Sequence, residues 1–214
     1  MSETSAYWLE RWRDEQIGFH EGMPNAYLAE HVDRLGPGPG RRVLVPLCGK
    51  SIDLAFLAAH GFSVVGVELS PIAAEAFFTE AELAVTRTAD GKRLSARGIE
   101  IVIGDVFTMS ARELGTFDAL YDRAALVALS PSERARYAAV IRSLLGPGAL
   151  GLLVTYEHDG DPSEPPYSVT TDEIAKLWPT LERDEIAVSD TSRDRLSKKG
   201  ATFGRTRVIA LRAQ

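Results

Sequence analysis

The stretch RVLVPLCGKSIDLAFLAAHGFSVVGVELSP, Arg42–Pro71, decides the fold. Arg42-Val-Leu-Val-Pro46 is a short, β-branched, continuously apolar run, the pattern of a strand covered on both faces. Ser51 to His60 then carries Ile52, Leu54, Phe56 and Leu57 and stops at Gly61, as a helix ended by a glycine does. A second apolar run, Ser63-Val-Val-Gly-Val-Glu68, follows, and Ser70-Pro71 opens another helix with an N-cap and a first-turn proline. Strand, helix, strand, helix at this spacing means parallel pairing through crossovers.

Further strands are expected at Ile99–Asp105, Phe117–Asp122 and Ala149–Tyr156. Ser130-Pro131 opens a helix running to about Leu145, stopped by Gly146-Pro147-Gly148. Residues 84–97 break the alternation and read as a polar surface insertion. Residues 158–168, with Gly160, Pro162, Pro165 and Pro166, read as a loop. A short helix at about 171–178 and two strands at about 182–190 and 202–211 complete the chain, the strands antiparallel because their connection is too short for a crossover helix. Two helices, near 7–15 and 24–34, are expected ahead of the first strand.

Composition narrows the class. With 214 residues, 45% hydrophobic and 25% charged, the chain is that of an average globular domain. One cysteine excludes an internal disulfide, and with four histidines leaves little for a metal site, so none is expected. No run approaches the ~20 apolar residues of a bilayer span. The charged start is not a signal peptide, so a cytoplasmic protein without membrane attachment is expected. A net charge of −6 disfavours a nucleic-acid partner. That total hides an asymmetry: residues 193–214 hold seven basic residues against one acid, a net of +6, and leave −12 on residues 1–192.

In open parallel sheets ligands bind beyond the carboxyl ends of the strands. The first such end, Leu47-Cys-Gly-Lys-Ser51, has a single glycine, so it fits neither the dinucleotide fingerprint nor the phosphate loop. A nicotinamide dehydrogenase fails on that loop. Glu68 ends the second strand, where a carboxylate can accept both hydroxyls of a ribose or simply favour the next helix N-terminus. Asp105, at the third strand end, can accept from an adenine amino group or serve ordinary turn chemistry. Together these features point to an adenosine ligand without phosphates.

Trp12, Ile17-Gly-Phe-His20, Val45-Pro-Leu-Cys-Gly-Lys-Ser51, Val64–Ser70, Phe77-Phe-Thr-Glu80 and Tyr121-Asp-Arg-Ala-Ala-Leu-Val-Ala-Leu129 resemble the thiopurine S-methyltransferases, especially the bacterial branch. The likeness continues through Arg134–Ala138 and Pro165–Val169 and so covers nearly the whole chain. It implies a Rossmann-like, doubly wound α/β domain over residues 1–214: a seven-stranded, mostly parallel sheet with an antiparallel C-terminal strand over residues 41–214, and residues 1–40 as a helical lid. It implies S-adenosylmethionine as cofactor, held by Trp12, Leu47, Glu68 and Arg123, with Asp105 and Val106 framing the adenine. Phe19, Arg123 and Arg195 would line the acceptor site, and the chain would work as a monomer on a small-molecule thiol. Inorganic selenium or tellurium species are alternative acceptors, and a non-catalytic nucleotide sensor is the alternative outside catalysis.

No residue is obliged to be a catalyst, because aromatic thiols are acidic. His20 reads either as a base or as a histidine packing the turn before Pro24. Cys48 reads as a small apolar residue in a tight loop. Trp12 taken alone is the apolar face of a helix, and Arg123, beside Asp122, is alternatively a surface ion pair.

Overall fold

The computed structural model describes residues 3–190 and 199–214. At its centre is β1 (Arg42–Pro46), whose Val43, Leu44 and Val45 are all buried. The strand pairs in parallel with β2 (Ser63–Glu68) on one side and with the later strand β6 (Phe117–Arg123) on the other. Between β1 and β2 runs α3 (Asp53–Ala59), burying Leu54 and Leu57 and ending at Gly61 with φ +89°. After β2 comes α4 (Pro71–Glu80), its first turn capped by Ser70 Oγ, which accepts from the Ala73 N–H at 3.3 Å. Ahead of β1 lie α1 (Glu3–Arg13) and α2 (Ala26–His31).

Three strands follow α4: β3 (Thr86–Arg87), β4 (Arg93–Ala96) and β5 (Ile99–Ile103). Past them come α5 (Ala111–Leu114), β6, α6 (Ala125–Ala128), α7 (Pro131–Leu144), β7 (Leu145–His158), α8 (Thr171–Leu177), β8 (Leu181–Asp190) and β9 (Gly204–Ala213). Among the described residues the sheet order is β3-β4-β5-β2-β1-β6-β7-β9-β8. The seven strands from β5 to β8 are the expected doubly wound unit, with β9 inserted antiparallel between β7 and β8.

Two strands exceed the expectation. Residues 84–97 are not a bare surface insertion: β4 pairs antiparallel with β5 and β3 adds one more short rung. A tight turn builds the hairpin. Asp90 Oδ1 accepts from Thr88 Oγ1 (2.6 Å) and from the Lys92 N–H (3.1 Å), and Gly91 supplies φ +70°. Leu94 alone points fully inward, so the hairpin reads as polar although it is part of the sheet.

The pleat divides the core between two helical layers. Val43, Val45, Val64 and Ile101 pack with Leu28, Leu54, Leu57 and Phe78 from α2, α3 and α4. Leu44, Val65 and Val102 pack on the opposite face with Leu114, Leu126, Tyr137, Ile141 and Trp178 from α5 to α8 and the residue after them. Arg134, 1% exposed, ties this second layer together: its Nη1 donates to both Glu173 carboxylate oxygens at 2.8 Å, and its Nε reaches the Leu126 carbonyl at 3.0 Å. None of the described helices is long and apolar enough to cross a membrane.

Candidate active site

The carboxyl ends of β1, β2, β5 and β6 open into a cavity of about 640 Å³, within the range of small-molecule sites. Its floor is the turn after β1. Leu47 and Gly49 both hold positive φ, +49° and +53°, and the Cys48 N–H donates to the Val67 carbonyl at 3.1 Å. A left-handed, non-glycine residue such as Leu47 is a strained position of the kind that gathers at binding sites. A side chain at Gly49 is disfavoured: the backbone is left-handed, and a Cβ there would sit 2.9 Å from the Trp12 ring. Cys48 is buried, with its Sγ over Gly66, where a Cβ would come within 2.6 Å of it. Burial and then the Glu68 charge push its thiol pKa well up, so it is packing, not a nucleophile.

Glu68, 6% exposed, accepts from the Gly49 N–H at 2.8 Å with Oε2 and from the Ser70 N–H at 2.7 Å with Oε1. Burial raises its pKa, while those backbone donors work in the other direction. The carboxylate therefore serves the start of α4 and also faces the cavity; the two sequence readings of Glu68 are compatible. Asp105 likewise caps the turn after β5, accepting from the Phe107 N–H at 2.9 Å, and stands on the cavity wall with Val106.

Strand alternation sends Tyr121 and Arg123 to the cavity and Asp122 to the other layer. Arg123 is thus not paired with its neighbour Asp122, nor on the surface. Its Nη2 lies 2.6 Å from Glu21 Oε1, the two side chains being 14% and 24% exposed, and its buried Nε has no hydrogen-bond partner among the described residues. Asp122 accepts from Tyr137 Oη at 2.6 Å, and burial lifts its pKa to about 6.

The segment before β1 covers the cavity. Trp8 and Trp12 each meet Phe19 edge-to-face, at 5.3 and 5.5 Å between ring centroids, and Trp8 Nε1 donates to the Ala128 carbonyl at 3.0 Å. Asp53, fully within the core, accepts from the Asn25 N–H at 2.7 Å and from Tyr121 Oη at 2.9 Å, fastening that segment to α3 and β6. Sequence reasoning missed Glu21, Asp53 and Tyr121. Only Tyr121 carries a signal, its two-residue spacing from Arg123 along a strand.

Of the expected site residues, Trp12, Phe19, Leu47, Glu68, Asp105, Val106 and Arg123 share this one cavity. Arg195 lies outside the described residues. From the basic C-terminal stretch, Lys199 reaches the cavity edge, whereas Arg207 is held by Glu157 at 2.6 Å and Glu185 at 2.5 Å. Lys50, also on the cavity wall, is paired with Glu80 at 2.6 Å. His20 lines the cavity, with its pKa lowered by burial and next by Lys50.

The sequence profile of the thiopurine S-methyltransferase family matches residues 3–214. The chain belongs to the thiopurine S-methyltransferase family. Thiopurine S-methyltransferase from Pseudomonas fluorescens is 47% identical over 175 residues, covering 80% of each chain. The Nitrosospira multiformis protein of the same name is 43% identical over 175 residues, again 80% of each. Among solved structures, the fold is shared by a Burkholderia thailandensis 1,6-didemethyltoxoflavin-N1-methyltransferase with bound S-adenosylhomocysteine (TM-score 0.68, 17% identity, 98% of this chain and 87% of that one). It is shared too by a Synechocystis magnesium protoporphyrin IX methyltransferase with bound S-adenosylmethionine (TM-score 0.66, 14% identity, 100% and 99%).

This member of the thiopurine S-methyltransferase family is therefore an S-adenosylmethionine-dependent methyltransferase. Its cavity suits that cofactor chemically. Glu68 has filled two of a carboxylate's roughly four acceptor positions with backbone donors, which leaves room for hydroxyls. Trp12, Leu47 and Val106 supply apolar walls, and the cation of the first loop, Lys50, is already neutralised.

Proposed function

We propose that the chain transfers a methyl group from S-adenosylmethionine to the sulfur of a small aromatic or heterocyclic thiol such as a thiopurine. The observation that carries this reading is the aromatic cover of the cavity, Trp8, Trp12 and Phe19, on the same space as the guanidinium of Arg123. Flat rings pack on such a wall, and an anionic sulfur is favoured beside a cation. Relatives 43–47% identical carry the name thiopurine S-methyltransferase.

When bound, S-adenosylmethionine supplies a methyl group made electrophilic by a positive sulfonium. The residues that would hold it are Glu68, through the ribose hydroxyls, Asp105 and Val106 around the adenine, and Trp12, Leu47 and Arg123. Phe19, Arg123 and Arg195 would receive the acceptor. Residues 1–40 would act as a lid: the buried Trp12, with Trp8 and the more exposed Phe19 packed beside it, would limit the access of water, which sharpens a thiolate nucleophile. Holding both partners in line supplies ~7–11 kcal/mol of the barrier reduction open to well-oriented reactions. Burial, and next the Lys50 charge, lower the pKa of His20 from its ordinary value, which disfavours the imidazolium there. The acidity of aromatic thiols makes a dedicated base unnecessary.

The test is incubation with methyl-labelled S-adenosylmethionine and a panel of 6-mercaptopurine, thiophenol, selenite and tellurite. Label in the aromatic thioethers is expected. Label only in methylated selenium or tellurium would shift the acceptor to a metalloid, and donor binding without transfer to any acceptor would leave a sensor.

A further inference from the structure

We propose that Glu21 sets the charge preference of the acceptor end of the cavity by competing with the acceptor for Arg123. The inference rests on the acceptor approaching Arg123, as proposed above, and concerns which acceptors are favoured there.

Glu21 is not a loosely placed surface acid. Its Oε1 is 2.6 Å from Arg123 Nη2, and its Oε2 accepts from Asn25 Nδ2 at 3.1 Å. Asn25 is itself fixed twice: its N–H donates to Asp53 Oδ1 at 2.7 Å, and its Oδ1 accepts from the Tyr27 N–H at 3.1 Å to cap α2. Asp53 is anchored in turn by Tyr121, two residues before Arg123 on β6. The loop carrying Glu21 is thus returned to the strand carrying Arg123 through a chain of hydrogen bonds that ends in the core. Both members of the ion pair are mostly withdrawn from water, so the attraction is stronger than in an exposed pair.

This arrangement makes Arg123 a cation with its counter-ion already present. Glu21, in contact, and Asp53, farther off, both lend negative charge to the one guanidinium. An anionic acceptor gains only the difference between its own contact with Arg123 and the one that Glu21 gives up or shares. An uncharged aromatic acceptor stacks on Phe19 and Trp8 without that competition. Glu21 is therefore a positioning residue that acts through Arg123, holding down the affinity for anions while leaving that for neutral rings.

The test uses two thioethers that cannot act as thiols, 4-(methylthio)benzoate and its uncharged amide, each titrated calorimetrically into protein saturated with S-adenosylhomocysteine. Glu21→Gln keeps the shape and the acceptor for Asn25. It is expected to strengthen benzoate binding by about fivefold or more and to change amide binding by less than about twofold. Glu21→Asp should restore part of the wild-type ratio, and in an Arg123→Gln background the Glu21→Gln gain should vanish. Equal changes for both probes, no gain for the benzoate, or a gain that survives loss of Arg123 would each overturn the proposal. Because no methyl transfer is involved, a protein inactive on every thiol would sink the thiol reading, while the two binding ratios would still decide the role of Glu21.

Discussion

Glu68 shows how one side chain answers two local demands. Its Oε1 satisfies a backbone donor entering α4, its Oε2 satisfies one in the turn after β1, and the carboxylate remains on the cavity surface. Glu68→Gln replaces one oxygen with an amide that cannot accept and that confronts a backbone N–H. Affinity for S-adenosylmethionine should fall tenfold or more, about 1.4 kcal/mol, by titration calorimetry. Unchanged affinity would remove Glu68 from the ribose. Its place at the strand end was legible in the order of residues. That it serves the helix start as well as the cavity was not, because both contacts depend on where the turn after β1 folds back. Arg123 was legible only in part: its position at a strand end was plain, while its partner, Glu21, comes from the far end of the chain.

Among the elements, the turn after β1 is the most constrained. Leu47 and Gly49 both adopt left-handed backbone, and Trp12 of α1 lies against Gly49. Gly49→Ala brings a Cβ to 2.9 Å from the Trp12 ring at φ +53°. A loss of stability on the order of 1–2 kcal/mol is expected from the backbone alone. The rise in melting temperature on adding S-adenosylhomocysteine should also shrink, since Trp12 must move. An undiminished rise would separate Trp12 from the cofactor site. The strands and helices from β1 to α4 follow from apolar runs and caps that stand in plain order along the chain. The β3–β4 hairpin did not, because an edge hairpin half in water needs only Leu94 to face inward, and one apolar residue makes no pattern.

At the scale of the whole molecule, stability and site meet in β6, where alternate residues face opposite layers. Asp122 points away from the cavity into the layer of α7, and its carboxyl has a pKa of about 6 because burial outweighs the Tyr137 hydroxyl and the backbone donors. The folded protein binds this proton more tightly than the unfolded chain, whose aspartates titrate near ~3.9. The contribution is therefore full below about pH 4 and lost as pH rises through 6, a change of up to about 3 kcal/mol. Asp122→Asn should flatten the pH dependence of unfolding free energy between about pH 4 and 6.5, measured by denaturant titration. An unaltered slope would mean that the carboxyl is not protonated in that range.

The alternation of strands and helices, the capped starts at Ser70 and Ser130, the glycine-poor first loop and the acids at the strand ends were all readable from residue order, since each depends on neighbours a few positions away. The enclosure of the site was not. Glu21 on Arg123, Asn25 on Asp53, Asp53 on Tyr121 and Trp12 on Gly49 join segments far apart in the chain. Whether such groups meet, and how little water surrounds them when they do, is set by how the N-terminal helices settle on the sheet. Local pattern carries no term for that.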